Sequence, residues 1–194
     1  MKSEKPVGGT YRARRFGWFV ALGLGLLTGC GSLLPTPPAP PALYVLDDTA
    51  APLGEGLAKP LQAAAVSTLV VDVPRAAPGY GTRRIVYTRT TSELETFAYS
   101  QWVEPPALML APLLARAIER TGAFAAVVRA PTSVAGEYRL ETELVRLQQD
   151  FSVAPSRVRL TLRAVLIETE SRRVMASREF DGVMVSTSED PAGG

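Results

Sequence analysis

Between positions 157 and 166 the chain alternates. Val158, Leu160, Leu162, Ala164 and Leu166 fall on one parity, Arg157, Arg159, Thr161 and Arg163 on the other. Side chains of a strand point to opposite faces with a period of two, so this run predicts a strand with one buried and one solvated face. One-sided burial is the habit of antiparallel sheets, and it demands neighbouring strands and an apolar layer on the dry side. The flanking sequence supplies both. Residues 137–151 and 156–169 read as a long antiparallel pair, with Glu141 and Glu143 placed to meet those arginines across the ladder. Residues 173–185 read as a further strand, with Val174, Phe180, Val183 and Val185 facing inward.

Upstream, residues 43–46, the β-branched run 68–73 before Pro74, and residues 84–89, 94–99 and 124–129 read as strands. Pro78, Gly79 and Gly81 make 75–82 a loop. Residues 105–121 form the one convincing helix of this region. Pro105 and Pro106 suit its first turn, and Leu110, Leu113, Leu114, Ala117 and Ile118 make its apolar stripe. Arg116, Glu119 and Arg120 face outward, and Gly122 ends it. Pro112 lacks an N–H inside that helix, which predicts a kink or a restart. The expected fold class is α+β, a largely antiparallel sheet with one main helix packed on a face.

The N-terminus has a different character. Lys2, Lys5, Arg12, Arg14 and Arg15 precede an apolar stretch of 12 residues, 16–27, well short of the roughly 20 a bilayer span requires. Leu27-Thr28-Gly29-Cys30 follows, with the chain's single cysteine at its end. This arrangement resembles the lipobox of bacterial lipoproteins. The resemblance implies cleavage before Cys30 and acylation there, with palmitate among the chains; an ordinary secretory signal with an incidental cysteine is the other reading. Gly31 rather than Asp after the cysteine implies the periplasmic face of the outer membrane. Prolines 35, 37, 38, 40 and 41 favour an extended spacer, and the eleven residues 31–41 could reach roughly 30 Å. The expected organisation is a signal peptide over 1–29, a lipidated cysteine with tether over 30–42, and a folded domain over 43–194.

Charge and composition exclude several classes. The whole chain carries +2, but residues 1–29 hold five Lys/Arg and one acid, so removing that +4 leaves about −2. The pI of 8.8 therefore belongs mostly to the leader, and nucleic-acid binding gets no support. With no histidine, imidazole catalysis is excluded, and one cysteine allows no internal disulfide. Ser67, Ser100 and Ser133 lie in no Gly-x-Ser-x-Gly elbow. Asp47-Asp48 has no companion ligands in sequence and reads as a solvated turn. No cofactor and no metal are expected.

Two stretches carry a wider resemblance. One is Tyr44-Val45-Leu46 just after the Pro-rich tether. The other runs from Phe97-Ala98-Tyr99-Ser100-Gln101-Trp102-Val103-Glu104-Pro105-Pro106 through the helix to Gly122-Ala123-Phe124. With Phe151 closing one late strand and Arg178-Glu179-Phe180 within another, the chain resembles the ABC-type transport auxiliary lipoproteins, the paraquat-inducible type included. These accompany MCE lipid transport systems. The resemblance implies a non-enzymatic, outer-membrane-anchored component of an intermembrane transport machine. An MCE-domain protein would be its partner, phospholipid or another hydrophobic molecule its cargo, and a homo-oligomer is allowed. The alternative is a structural outer-membrane lipoprotein of another envelope or secretion assembly. The family continues into a C-terminal helix that is missing here, although Ser188 to Pro191 looks like a helix start. Tyr99 and Trp102, at the mouth of the helix, are the candidates for partner or lipid contact, with packing of the corner as the plainer role for Trp102. Arg157, Arg159 and Arg163 could grip headgroups or simply form a solvated face.

Overall fold

The computed structural model describes residues 39–47, 67–90 and 92–193. The expectations for Leu27, Thr28, Gly29, Cys30 and most of the tether lie outside the described residues, as does Asp48.

Nine strands, β1 (Ala42–Tyr44), β2 (Thr68–Val71), β3 (Arg75–Ala76), β4 (Arg84–Thr90), β5 (Glu93–Trp102), β6 (Ala126–Arg129), β7 (Tyr138–Asp150), β8 (Arg157–Glu168) and β9 (Arg173–Val185), form one sheet among the described residues. Its spine is the expected antiparallel pair. β7 and β8 run from Tyr138 opposite Glu168 to Asp150 opposite Arg157, with one bulge between Leu144 and Arg146. β9 continues the meander from β8. The other edge of β7 is shared end to end by three shorter strands, all parallel to it: β2 at residues 138–140, β3 at 143–144 and β4 at 149–150. β6 extends β2 in parallel, β5 pairs antiparallel with β4, and β1 runs parallel to β5. The long ladders are antiparallel and one helix packs on them, so the fold is α+β as expected.

That helix, α1 (Pro106–Thr121), starts where the Pro105 carbonyl accepts the N–H groups of Leu108 and Met109. It ends at Gly122, whose φ of 62° is a left-handed conformation natural to glycine. Ala107, Met109, Leu110, Ala111 and Ala115 are buried, and Arg116, Glu119 and Arg120 point outward. The helix spans two apolar clusters. Leu110, Leu113 and Leu114 meet Tyr80, Val86, Leu144, Leu160 and Leu162, while Ala115 and Ile118 meet Leu69, Val71, Leu140 and Leu166.

Five expectations need correction. α1 runs unbroken through Pro112. The proline leaves only the Leu108 carbonyl without its intrahelical donor, and Leu108 is 46% exposed, so water can supply one. Residues 75–82 are not all loop, because Arg75 and Ala76 add β3 to the β7 edge. β5 runs on to Trp102 rather than ending at Tyr99, because β1 pairs with its last three residues. Val174, Phe180, Val183 and Val185 are not inward: they are 57, 49, 47 and 59% exposed. β9 is an edge strand, and among the described residues nothing covers it. At the C-terminus, Ser188 to Pro191 starts no helix. The Asp190 carboxylate accepts from the Ala192 and Gly193 N–H groups, and Thr187 N–H donates to the Gly193 carbonyl, closing a turn.

Candidate functional site

The strand-to-helix corner is held by backbone. Trp102 N–H donates to the Arg83 carbonyl at 2.7 Å, and its carbonyl accepts from Arg83 Nε at 3.0 Å. Val103 N–H donates to the Tyr44 carbonyl, which ties β1 to the corner. The half-buried Trp102 ring lines a cavity of about 80 Å³ together with Leu46, Ile85, Val86, Leu147, Val158 and Pro191. Packing of the corner is thus one of its roles.

The same cavity is bounded by Gln149, which is 3% exposed. Its Nε2 lies 3.0 Å from Ser156 Oγ, 3.3 Å from Ser186 Oγ and 3.4 Å from the Ser188 carbonyl, and shares its two N–H donors among the three. Ser156 is fully buried, with its N–H on Glu189 Oε1 and its carbonyl accepting from Ser186 N–H. This network clasps the C-terminal turn to the end of the β7–β8 hairpin. It leaves Gln149 Oε1 buried without a donor. An acceptor orphaned in that way costs about 1–3 kcal/mol.

Tyr99 is elsewhere. It is 70% exposed and does not line the cavity; it sits on β5 beside the edge strand β1, whose Leu43, and Val45 just past it, are also exposed. Phe97 instead packs against Tyr87 and Phe151, with ring centroids 4.6 and 6.3 Å away. The structure therefore separates the two candidate aromatics.

The arginine face is neutralised. Arg163 lies between Glu143 at 3.2 Å and Glu179 at 3.0 Å, and Arg159 meets Asp181 at 3.0 Å. The Thr161 hydroxyl, then Arg159, hold the Asp181 carboxyl below the usual range. Glu141 pairs with Arg75 rather than with the β8 arginines. Arg157 is exposed. A second hollow of about 350 Å³, lined by Asp72, Arg75, Glu141 and Thr142, has its charges matched too, since Asp72 meets Arg139 at 2.6 Å. Among the described residues no three potential ligands cluster for a metal, and no helix is long and apolar enough to cross a membrane.

Gln149, Ser156, Ser186 and Pro191 are the functional candidates that sequence reasoning missed. A signal existed: Gln149 falls on the buried parity of β7, opposite Val158, where an apolar residue is expected. The arrangement offers a shaped apolar space with a polar boundary. It fits binding better than bond breaking.

A family model, that of the ABC-type transport auxiliary lipoprotein component, matches residues 44–193. Among solved structures the chain is similar to protein XCC0632 from Xanthomonas campestris, at 28% identity and a TM-score of 0.60 over 79% of this chain and 80% of that one. It is similar in fold to an uncharacterized protein at 13% identity and a TM-score of 0.58, over 79% of this chain and 86% of that one. A fainter likeness, at 10% identity and a TM-score of 0.41, is to lipoprotein GNA1162 from Neisseria meningitidis, over 65% of this chain and 88% of that one. A search among curated proteins gave no match. The family match takes in all the described strands from Tyr44 onward, α1 and the Trp102 corner, so this chain belongs to the ABC-type transport auxiliary lipoprotein component family.

Proposed function

We propose that this protein is a non-enzymatic auxiliary component of an MCE/ABC-type intermembrane transport system, anchored at the periplasmic face of the outer membrane by acyl chains on Cys30. The observation that carries the reading is one of order along the chain. A domain of the transport auxiliary family begins at residue 44, directly behind Leu27-Thr28-Gly29-Cys30 and a Pro-rich spacer. One acyl chain binds a membrane only marginally, whereas two or more hold it stably, which is the number a diacylated cysteine supplies. The spacer's roughly 30 Å lets the sheet work clear of the headgroups. The absence of histidine and the paired state of the β8 arginines Arg159 and Arg163 favour docking over chemistry. Phospholipid or another hydrophobic molecule is the cargo, and the uncovered β9 edge is compatible with a homo-oligomer.

Crosslinking in intact envelopes followed by capture of the full-length protein tests this. Recovery of an MCE-domain protein is expected; repeated recovery of a secretion or other envelope assembly instead would replace the reading with a structural role. Cys30→Ser should leave an unprocessed, mislocalised precursor on immunoblots of fractionated cells. Normal processing and membrane attachment of that variant would show that the anchor lies elsewhere.

A further inference from the structure

The Pro-rich spacer leads directly into Ala42, the first residue of β1, and among the described residues β1 is the last strand on its side of the sheet. This corner leaves apolar groups in solvent: Leu43, Val45 and Tyr99 are all more exposed than buried. Leu43 sits opposite Gln101, and Gln101 opposite Arg84, so one row across β1, β5 and β4 passes from apolar to polar to cationic. Tyr99 lies two residues before Gln101, about 7 Å along the strand. Two aliphatic side chains, a tyrosine with a polar tip and an arginine at the rim suit a membrane–water interface. The exposed acids Asp47 and Glu104 offset Arg83 and Arg84 here, so apolar contact rather than lipid charge has to carry any attachment. Cys30 stands twelve residues before Ala42. A semi-rigid spacer held in lipid at one end can lie along the surface as well as stand off it. Docking is then intramolecular, at an effective concentration on the order of mM, so a patch too small to hold a free protein can still be occupied. The bilayer is the surface that the chain itself brings to this corner.

We infer that the β1–β5 corner rests on the bilayer surface, with Leu43 and Val45 among the upper acyl carbons, Tyr99 at the ester level and Arg84 toward the phosphates. The contact rests on acylation of Cys30, as proposed above, and fixes which face of the domain meets lipid.

The test uses the full-length, processed protein inserted through its acyl chains into vesicles of phosphatidylethanolamine and phosphatidylglycerol. Processing removes Trp18, so Trp102, opposite Tyr44 of β1, is the one tryptophan left. Energy transfer from Trp102 to a lipid with a dansylated headgroup reports how close the corner lies. Strong transfer is expected, unchanged by added salt. Val45→Ser combined with Tyr99→Ser should lower the docked-to-free ratio about 10-fold while the protein still floats with the vesicles. Should near-ultraviolet circular dichroism show that this pair does not fold, Leu43→Glu alone serves, because a charge there opposes insertion. Equal transfer in the parent and the variant, or transfer lost at high salt, would overturn the proposal while the anchor stands. Self-association in sedimentation that the same pair of changes abolishes would also overturn it, since a second copy would then cover the patch. Mass spectrometry showing Cys30 without acyl chains would remove the anchor and this contact together.

Discussion

Leu144 shows how much one side chain can carry. It has no exposed surface, sits at the bulge of β7, and touches the cluster of Tyr80, Val86 and Leu110 beneath α1. Leu144→Ala should cost about 2–5 kcal/mol, lost burial plus the void left behind. Urea unfolding would register this as a lower midpoint at unchanged slope; a loss below about 1 kcal/mol would mean that the cluster collapses freely. Tyr80, beside it, shows burial acting on a polar group. Desolvation raises its pKa above the usual tyrosine value, and its hydroxyl donates to Gln148 Oε1 at 2.5 Å. Gly136 is constrained from the other direction: a Cβ there would stand 2.7 Å from Val70 Cγ2, so only glycine lets β2 and the approach to β7 come that close.

Among the elements, α1 and β9 depart most from expectation. Pro112 stays in an unbroken helix at the expense of one hydrogen bond on the exposed side. Pro112→Ala restores the donor, worth up to about 3 kcal/mol in a helix interior, and loosens the unfolded chain by about 0.4–1 kcal/mol. A net gain of about 1–2 kcal/mol and a higher Tm by calorimetry are expected, and an unchanged or lower Tm would contradict it. β9 presents a thirteen-residue edge, with Arg173, Arg178, Glu179 and Asp181 interspersed among its apolar residues. Charges along an edge discourage indiscriminate strand addition. They also explain why its apolar residues remain outside: half its positions were never suited to a core.

For the whole molecule, the carboxylates set the pH response. Glu137 accepts the Thr68 N–H at 2.6 Å and so joins β2 to the start of β7, while Asp150 accepts from Ser152 and Asp181 from Thr161 and Arg159. These hydrogen bonds lower all three native pKa values, led by the Thr68 N–H for Glu137, the Ser152 hydroxyl for Asp150 and the Thr161 hydroxyl for Asp181. A depressed native pKa means that the unfolded chain takes up protons first as pH falls. Stability is therefore complete above the ordinary carboxylate range near 4 and is lost as pH drops through the native values. Urea midpoints should be flat from about pH 7 to 5 and fall below about 4, and Asp181→Asn should shrink that fall. A decline that begins above pH 6 would contradict the assignment, since the chain has no histidine to titrate there.

The alternation of β8, the amphipathic stripe of α1 and the Gly122 stop were legible because period and backbone preference are local properties. The Trp102–Pro106 motif was equally local, and it led to the family. What the sequence left open was which partners each segment finds. The sharing of one β7 edge by β2, β3 and β4, the exposure of β9 and the separation of Tyr99 from Trp102 all depend on contacts between residues far apart in the chain. The Trp102 cavity is the plainest case: residues from Leu46 to Pro191 bound it, and only the assembled sheet brings the Gln149 side chain and the Trp102 indole to the same space.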